Sequence, residues 1–190
     1  MEKYPGKKRI AVFISGRGSN LKSLIKYSHK KNSLIKIILV ISNNPNAKGL
    51  KYSTKSNIKS YGIKFKGKSD FEIKSLKLLK KNNVDMLCLA GFMNILSGSF
   101  IRKFSKPILN IHPSLLPKYP GLNTHKRALD SGDKVHGTTI HYVTSELDCG
   151  PIIRQEQINI EPNDDENALM ERIKKIENLI YPEEISKLKI

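Results

Sequence analysis

The constraint that most narrows the fold is a set of short runs that are apolar from end to end. Ile10-Ala11-Val12-Phe13-Ile14, Ile37-Ile38-Leu39-Val40-Ile41 and Met86-Leu87-Cys88-Leu89-Ala90 offer no polar position at which one strand face could meet water. An alternating strand has one wet face, whereas a strand without alternation is buried on both. Between these runs apolar residues recur at helical spacing, as at Leu21, Leu24 and Ile25 and again at Ile73, Leu76 and Leu79. Helices alternating with doubly buried strands predict an α/β fold: a single Rossmann-like, doubly wound domain over residues 1–190 with a mostly parallel central sheet.

The punctuation refines this outline. The turn cluster Ser42 to Asn46 predicts a helix reaching about Ser60, and Gly62 then precedes a short strand at Ile63-Lys64-Phe65. Ser69 or Asp70 is placed to cap the next helix, with Ile73, Leu76 and Leu79 on its inner face. Later the pattern changes. Thr139 to Val143 and Ile152 to Ile160 are joined by a short loop and are expected to pair antiparallel. Asn163 and Glu166 have capping-box spacing for a last helix with a core stripe of Leu169, Ile173, Ile176 and Ile180.

No apolar run approaches the ~18 residues of a membrane span, and the basic segment Met1 to Lys8 lacks the apolar stretch of a secretion signal. A cytoplasmic enzyme or binding protein is therefore the expectation. Cys88 reads as a core residue and Cys149 as a loop residue; neither has disulfide-framework or zinc spacing. The net charge of +17 is lopsided, since residues 1–81 carry 19 Lys, 2 Arg and 3 acidic residues. A nucleic-acid surface is one reading, but Arg is scarce and the Lys are not interleaved with aromatics. The basic half is better suited to drawing in small anions.

The candidate chemistry centres on Leu109-Asn110-Ile111-His112-Pro113-Ser114-Leu115-Leu116-Pro117. Residues at i and i+2 of a strand share a face, so Asn110 and His112 reach one small volume as a neutral donor and a switchable one. That pair suits holding an oxyanion and moving a proton. Asp148, in the loop after a neighbouring strand, is placed to favour a charged His112 by raising its pKa from about 6.5. His141 reads as a support for the site, and His29, His125 and His136 as residues without such company. No grouping has metal-ligand spacing, and Asp164-Asp165-Glu166 reads as structural at a helix start. Gly16-Arg17-Gly18-Ser19-Asn20 joins the first strand to the first helix. It fails both the dinucleotide and the Walker pattern, yet it suits a single phosphate, with Ser19 and Asn20 able to cap the helix or donate to the ligand.

These blocks, with Leu89-Ala90-Gly91-Phe92-Met93, Ile95-Leu96-Ser97, Lys118-Tyr119-Pro120-Gly121, His136-Gly137-Thr138-Thr139, Glu146-Leu147-Asp148, Gly150-Pro151 and Ile180-Tyr181-Pro182, closely resemble the glycinamide ribonucleotide formyltransferases of purine biosynthesis. The resemblance runs in family order from Ile10 to about Ser186 and implies the formyltransferase fold. It implies transfer of a formyl group from 10-formyltetrahydrofolate to the amine of glycinamide ribonucleotide, with these two small molecules as partners and no metal. Monomer and homodimer both stay open. By the same resemblance Asn110 and protonated His112 hold the oxyanion, and Asp148 keeps His112 charged and helps remove the amine proton. Gly16, Gly18, Ser19 and Asn20 take the substrate phosphate and Glu177 its ribose. Lys68, Met93, Asn94, Ile95, Leu96, Val143, Thr144, Ser145, Glu146, Leu147 and Asp148 serve the folate.

The chain departs from the family pattern in places. Ser145 stands where an acidic residue is usual, Cys149 where Gly or Ala is, and Asn94 where a basic residue is. Lys68 replaces an Arg facing the folate tail, keeping the charge but losing the fork. The chain also ends soon after the last motif, where relatives often continue. Formyltetrahydrofolate deformylase is the nearest rival, but it differs after the histidine and adds an N-terminal domain. Methionyl-tRNA formyltransferases add a C-terminal one. A non-catalytic folate or nucleic-acid binder is the rival of another class, and its affinity would fall steeply with salt.

Overall fold

The computed structural model describes residues 6–64 and 67–189. Seven strands, β1 (Lys8–Ile14), β2 (Ile35–Ser42), β3 (Lys59–Gly62), β4 (Met86–Leu89), β5 (Ile108–His112), β6 (Val135–Tyr142) and β7 (Ile152–Asn159), form one sheet in the order β3-β2-β1-β4-β5-β6-β7. The pairs from β3 to β5 are parallel, and β6 and β7 add antiparallel. Among the described residues six helices accompany it: α1 (Ser19–Ser28), α2 (Leu50–Lys55), α3 (Lys68–Lys81), α4 (Gly98–Phe104), α5 (Thr124–Asp130) and α6 (Glu166–Lys187).

The unbroken apolar runs behave as their composition requires. Ile10, Val12 and Ile14 point into a core shared with Leu21, Leu24 and Ile25 of α1 and Ile180, Tyr181 and Ile185 of α6. Ala11 and Phe13 point the other way, into a second core with Phe71 and Leu79 of α3 and Phe100 and Phe104 of α4. Cys88 is fully buried and Cys149 is exposed. Strand order reverses between β1 and β4, and at such a switch point the loops leaving the strand ends diverge and open a crevice.

Several local expectations shift. Helix α2 stops at Lys55, not near Ser60, because Asn57 turns into the left-handed region at φ 54° and ends it. The third strand is Lys59–Gly62, not Ile63-Lys64-Phe65; Gly62 pairs with Ser42 and closes onto Pro45 (Phe65 lies outside the described residues). Neither Ser69 nor Asp70 caps α3, which starts from Gly67 without a side-chain cap. Its inner face follows Phe71, Ser75 and Leu79, leaving Ile73 about half exposed, two residues and roughly 200° round the helix from Phe71. The cap of α6 is Asp165, which accepts from the Ala168 amide, because Asp164 is held by Arg172 and the Glu161 amide. The predicted stripe of α6 is in place, with Leu169, Ile173 and Ile180 buried and Ile176 packed against the core.

Candidate active site

The crevice collects the C-terminal ends of β1, β4 and β5. Strand β5 delivers Asn110 and His112, and its antiparallel pairing with β6 sets His141 directly across from Asn110. Residues opposite each other on one face are within reach, and Asn110 Nδ2 lies 3.2 Å from His141 Nε2. The His141 Nδ1–H donates to the Tyr142 carbonyl (2.9 Å), and burial lowers the pKa of the ring. A neutral ring with Nδ1 protonated presents a lone pair at Nε2, so Asn110 is the donor. One amide proton of Asn110 is thereby fixed, which orients the other.

His112 is buried. Its Nε2 lies 2.9 Å from the Tyr119 carbonyl, which can only accept, so Nε2 carries a proton. Its Nδ1 faces Asp148 Oδ2 at 3.5 Å. Asp148 reaches this point from the β6–β7 loop in a left-handed conformation, φ 52°, that Asp tolerates better than most residues. The same Oδ2 accepts from the Gly121 amide (2.8 Å), and Oδ1 lies 3.6 Å from His141 Nε2. The loop closes because Gly150 lets the backbone meet Tyr142; a Cβ there would sit 1.7 Å from the Tyr142 carbonyl oxygen. The three residues singled out in the sequence are thus brought together, with His141 between Asn110 and Asp148.

The phosphate-type loop lies at the end of β1. Gly18 has φ 76°, and a Cβ on it would come within 2.7 Å of Gly49 Cα, so α2 packs against the loop only through two glycines. Helix α1 starts from Gly18 without a side-chain cap, which leaves its first N–H groups to a ligand. Of the two roles offered for Ser19 and Asn20, capping α1 is excluded, since both lie inside the helix. Asn20 is buried and donates through Nδ2 to Glu177 Oε2 (3.0 Å). Glu177 is buried on α6, and Thr138 Oγ1 lies 3.4 Å from its other oxygen. Burial pushes the Glu177 carboxyl up to about 7, against the opposing pull of Asn20, Thr138 and Lys174. Thr138 also donates to the His112 carbonyl (2.9 Å), so Thr138 and Glu177 link the end of β5 to Asn20 of α1.

The residues assigned to folate split into two loops and one outlier. Met93, Asn94, Ile95 and Leu96 follow β4, with Met93 and Ile95 exposed, Asn94 half-buried and Leu96 buried. Val143 and Thr144 are half-buried after β6, and Ser145, Glu146 and Leu147 are exposed. A Cβ placed on Gly98 would touch Ser145, so the two loops adjoin. Lys68 is the exposed first residue of α3.

His125 and His136, which the sequence left without the company His112 has, pair with each other. His125 Nδ1 lies 3.1 Å from His136 Nε2. Burial lowers both pKa values, that of His125 to about 4. The two residues come from α5 and β6, and nothing local in the sequence joins them. Also missed were the Tyr119 carbonyl, the Gly121 amide and Thr138, since main-chain groups and one hydroxyl carry no sequence signal. Among the described residues no group of three His, Cys, Asp or Glu is arranged to hold a metal, and no helix is long and apolar enough to cross a membrane.

Residues 8–185 match the formyl transferase family model. The chain belongs to the formyl transferase family. Its relatives include the trifunctional purine biosynthetic protein adenosine-3 of Drosophila melanogaster, 44% identical over 96% of this chain, which spans 14% of that protein's length. The phosphoribosylglycinamide formyltransferase of Escherichia coli K12 is 39% identical over 93% of this chain and 85% of its own. Among solved structures, glycinamide ribonucleotide transformylase 1 from Symbiobacterium toebii superposes with a TM-score of 0.91 at 34% identity, covering 98% of this chain and 89% of that one. The phosphoribosylglycinamide formyltransferase of Coxiella burnetii gives 0.87 at 42% identity, covering 95% and 86%. The formyltransferase fold expected from the sequence is therefore the fold observed.

Proposed function

We propose that this protein, as one domain over residues 1–190, transfers the formyl group of 10-formyltetrahydrofolate to the amine of glycinamide ribonucleotide in purine biosynthesis. It acts in the cytoplasm, as a monomer or homodimer, on these two small molecules. The observation that carries the reading is the cluster at the end of β5, where a fixed amide donor and an imidazole faced by acceptors at both nitrogens flank one volume.

The amine nitrogen attacks the formyl carbon, and the carbonyl π electrons move to oxygen. Asn110 Nδ2 and the His112 N–H receive that oxyanion. The Nε2–H hydrogen bond now made to the Tyr119 carbonyl switches to that oxyanion, the stronger acceptor because it is charged, and the proton stays on His112. Collapse of the adduct breaks the bond to folate N10. The proton lost by the amine reaches N10, with Asp148 as its acceptor in transit. The donors are arranged before the charge develops, so little reorganisation accompanies it. Gly16, Gly18, Ser19 and Asn20 hold the phosphate through backbone N–H groups, and Glu177 holds the ribose. The loops at 93–96 and 143–148 and Lys68 take the folate.

The test is to incubate purified protein with 10-formyltetrahydrofolate, with and without glycinamide ribonucleotide, and to follow tetrahydrofolate release by absorbance. Release that requires the amine supports the proposal. Release without it makes the protein a hydrolase, and no release in either case refutes a catalytic role.

A further inference from the structure

The loop from Gly91 to Ser97 holds two large apolar side chains out of the core: Met93 is 66% exposed and Ile95 51%. A short loop in that posture needs restraint, and both of its ends are tied by side chains from other elements. At the first end the Met93 amide donates to Ser15 Oγ (2.8 Å), and the Ser15 amide donates back to the Gly91 carbonyl (3.1 Å). At the second end the carboxylate of Glu72, on α3, takes both bonds that Ser97 can give. The Ser97 amide donates to Oε1 at 2.6 Å, and the Ser97 hydroxyl donates to Oε2 at 2.6 Å. That hydroxyl in turn accepts from the Phe100 amide (3.0 Å) and so caps α4.

Glu72 is an unusual residue for its place. It is buried on the core-facing side of α3, beside Phe71, whose ring stacks on Phe92 of the same loop. Burying a carboxylate is costly unless its oxygens are satisfied. An apolar side chain would pack there without that cost. What the carboxylate supplies is a two-point, charge-assisted grip on a single residue, which fixes the direction of the loop as well as its position.

We infer that Glu72 is a positioning residue for the formyl donor: by clamping Ser97 it holds the Met93–Leu96 backbone and the exposed Met93 and Ile95 in the posture that receives the folate ring. The inference rests on the proposed function, through the assignment of this loop to folate. Glu72 is not itself a catalytic residue; its carboxylate acts through Ser97.

The test compares Glu72→Ala and Glu72→Gln in the full chain, reading KM separately for the two substrates, together with tetrahydrofolate binding by fluorescence titration. Losing the grip raises the KM for 10-formyltetrahydrofolate by about tenfold or more, as expected for the loss of strong hydrogen bonds. The KM for glycinamide ribonucleotide and kcat stay within about threefold. Glu72→Gln keeps the shape and two weaker bonds, so its donor KM falls between those of Glu72→Ala and the parent protein. Equal rises in both KM values, or an unchanged donor KM, would overturn the inference. Should Glu72→Ala fail to fold, Ser97→Ala removes the hydroxyl arm together with the α4 cap, and an unchanged donor KM in that variant overturns it equally. Failure of the parent protein itself to bind tetrahydrofolate would instead overturn the functional proposal, which separates the two.

Discussion

Replacing Glu177 with Gln should make this protein more stable at pH 8 and raise its stability at pH 5 by no more than about 1 kcal/mol. The carboxyl is buried and its pKa rises from 4.5 to about 7, chiefly by desolvation. Below pH 4.5 both the folded and the unfolded chain hold the proton. Between 4.5 and about 7 the folded state keeps a proton that the unfolded chain releases, so raising the pH favours unfolding. Above about 7 the loss is complete. At 1.36 kcal/mol per pKa unit the penalty reaches about 3 kcal/mol.

Gln reproduces the protonated form. Its oxygen accepts from Asn20, and its amide can donate to Thr138, whose single hydroxyl proton already serves the His112 carbonyl at 2.9 Å. For a chain of this size the gain corresponds to roughly 6–12 °C in Tm at pH 8. Urea denaturation of both proteins at pH 5 and pH 8 measures the difference. The histidines with lowered pKa values are present in both proteins and cancel. His125 is the extreme case: stability from its neutral ring is present above pH 6.5 and is lost as pH falls through about 4. A stability gap of equal size at the two pH values, or a less stable Gln variant at pH 8, would show that Glu177 is not held protonated by burial. The variant should also bind glycinamide ribonucleotide more weakly, and unchanged binding would remove the proposed ribose role of Glu177.

Three other outcomes test the site. His112→Ala should lower kcat by at least ~10²-fold with substrate binding changed less, and near-normal turnover would remove the oxyanion role. Asp148→Asn suits the left-handed backbone and can keep the Gly121 bond, so the fold should survive while turnover falls by roughly 10²-fold. Full activity in that variant would break the proposed link between Asp148 and His112. Gly18→Ala places a Cβ 2.7 Å from Gly49 Cα at φ 76°, and should destabilise the chain by about 1–3 kcal/mol in urea denaturation while weakening phosphate binding.

Much of this protein is legible from the order of its residues alone. The unbroken apolar runs specify doubly buried strands, because period-two geometry gives every residue of such a run a buried face. The stripe on α6 and the shared face of Asn110 and His112 follow from the same local periodicities. Local reasoning weakened at element ends. It placed the third strand at Ile63-Lys64-Phe65 rather than Lys59–Gly62 and the α6 cap at Asn163 rather than Asp165, because contacts with Pro45 and Arg172 decided those ends.

Only the tertiary structure decided what each site residue meets. Asn20 is turned toward Glu177, which is distant in sequence, His125 is paired with His136, and Glu72 is set beneath Ser97. Each pairing joins groups on different elements, and its geometry depends on how helices pack across the sheet. Strand periodicity is a property of neighbouring residues and is written along the chain. The environment that buries Glu177 and raises its pKa is assembled from α1, β6 and α6 together, so it exists only once the chain has folded.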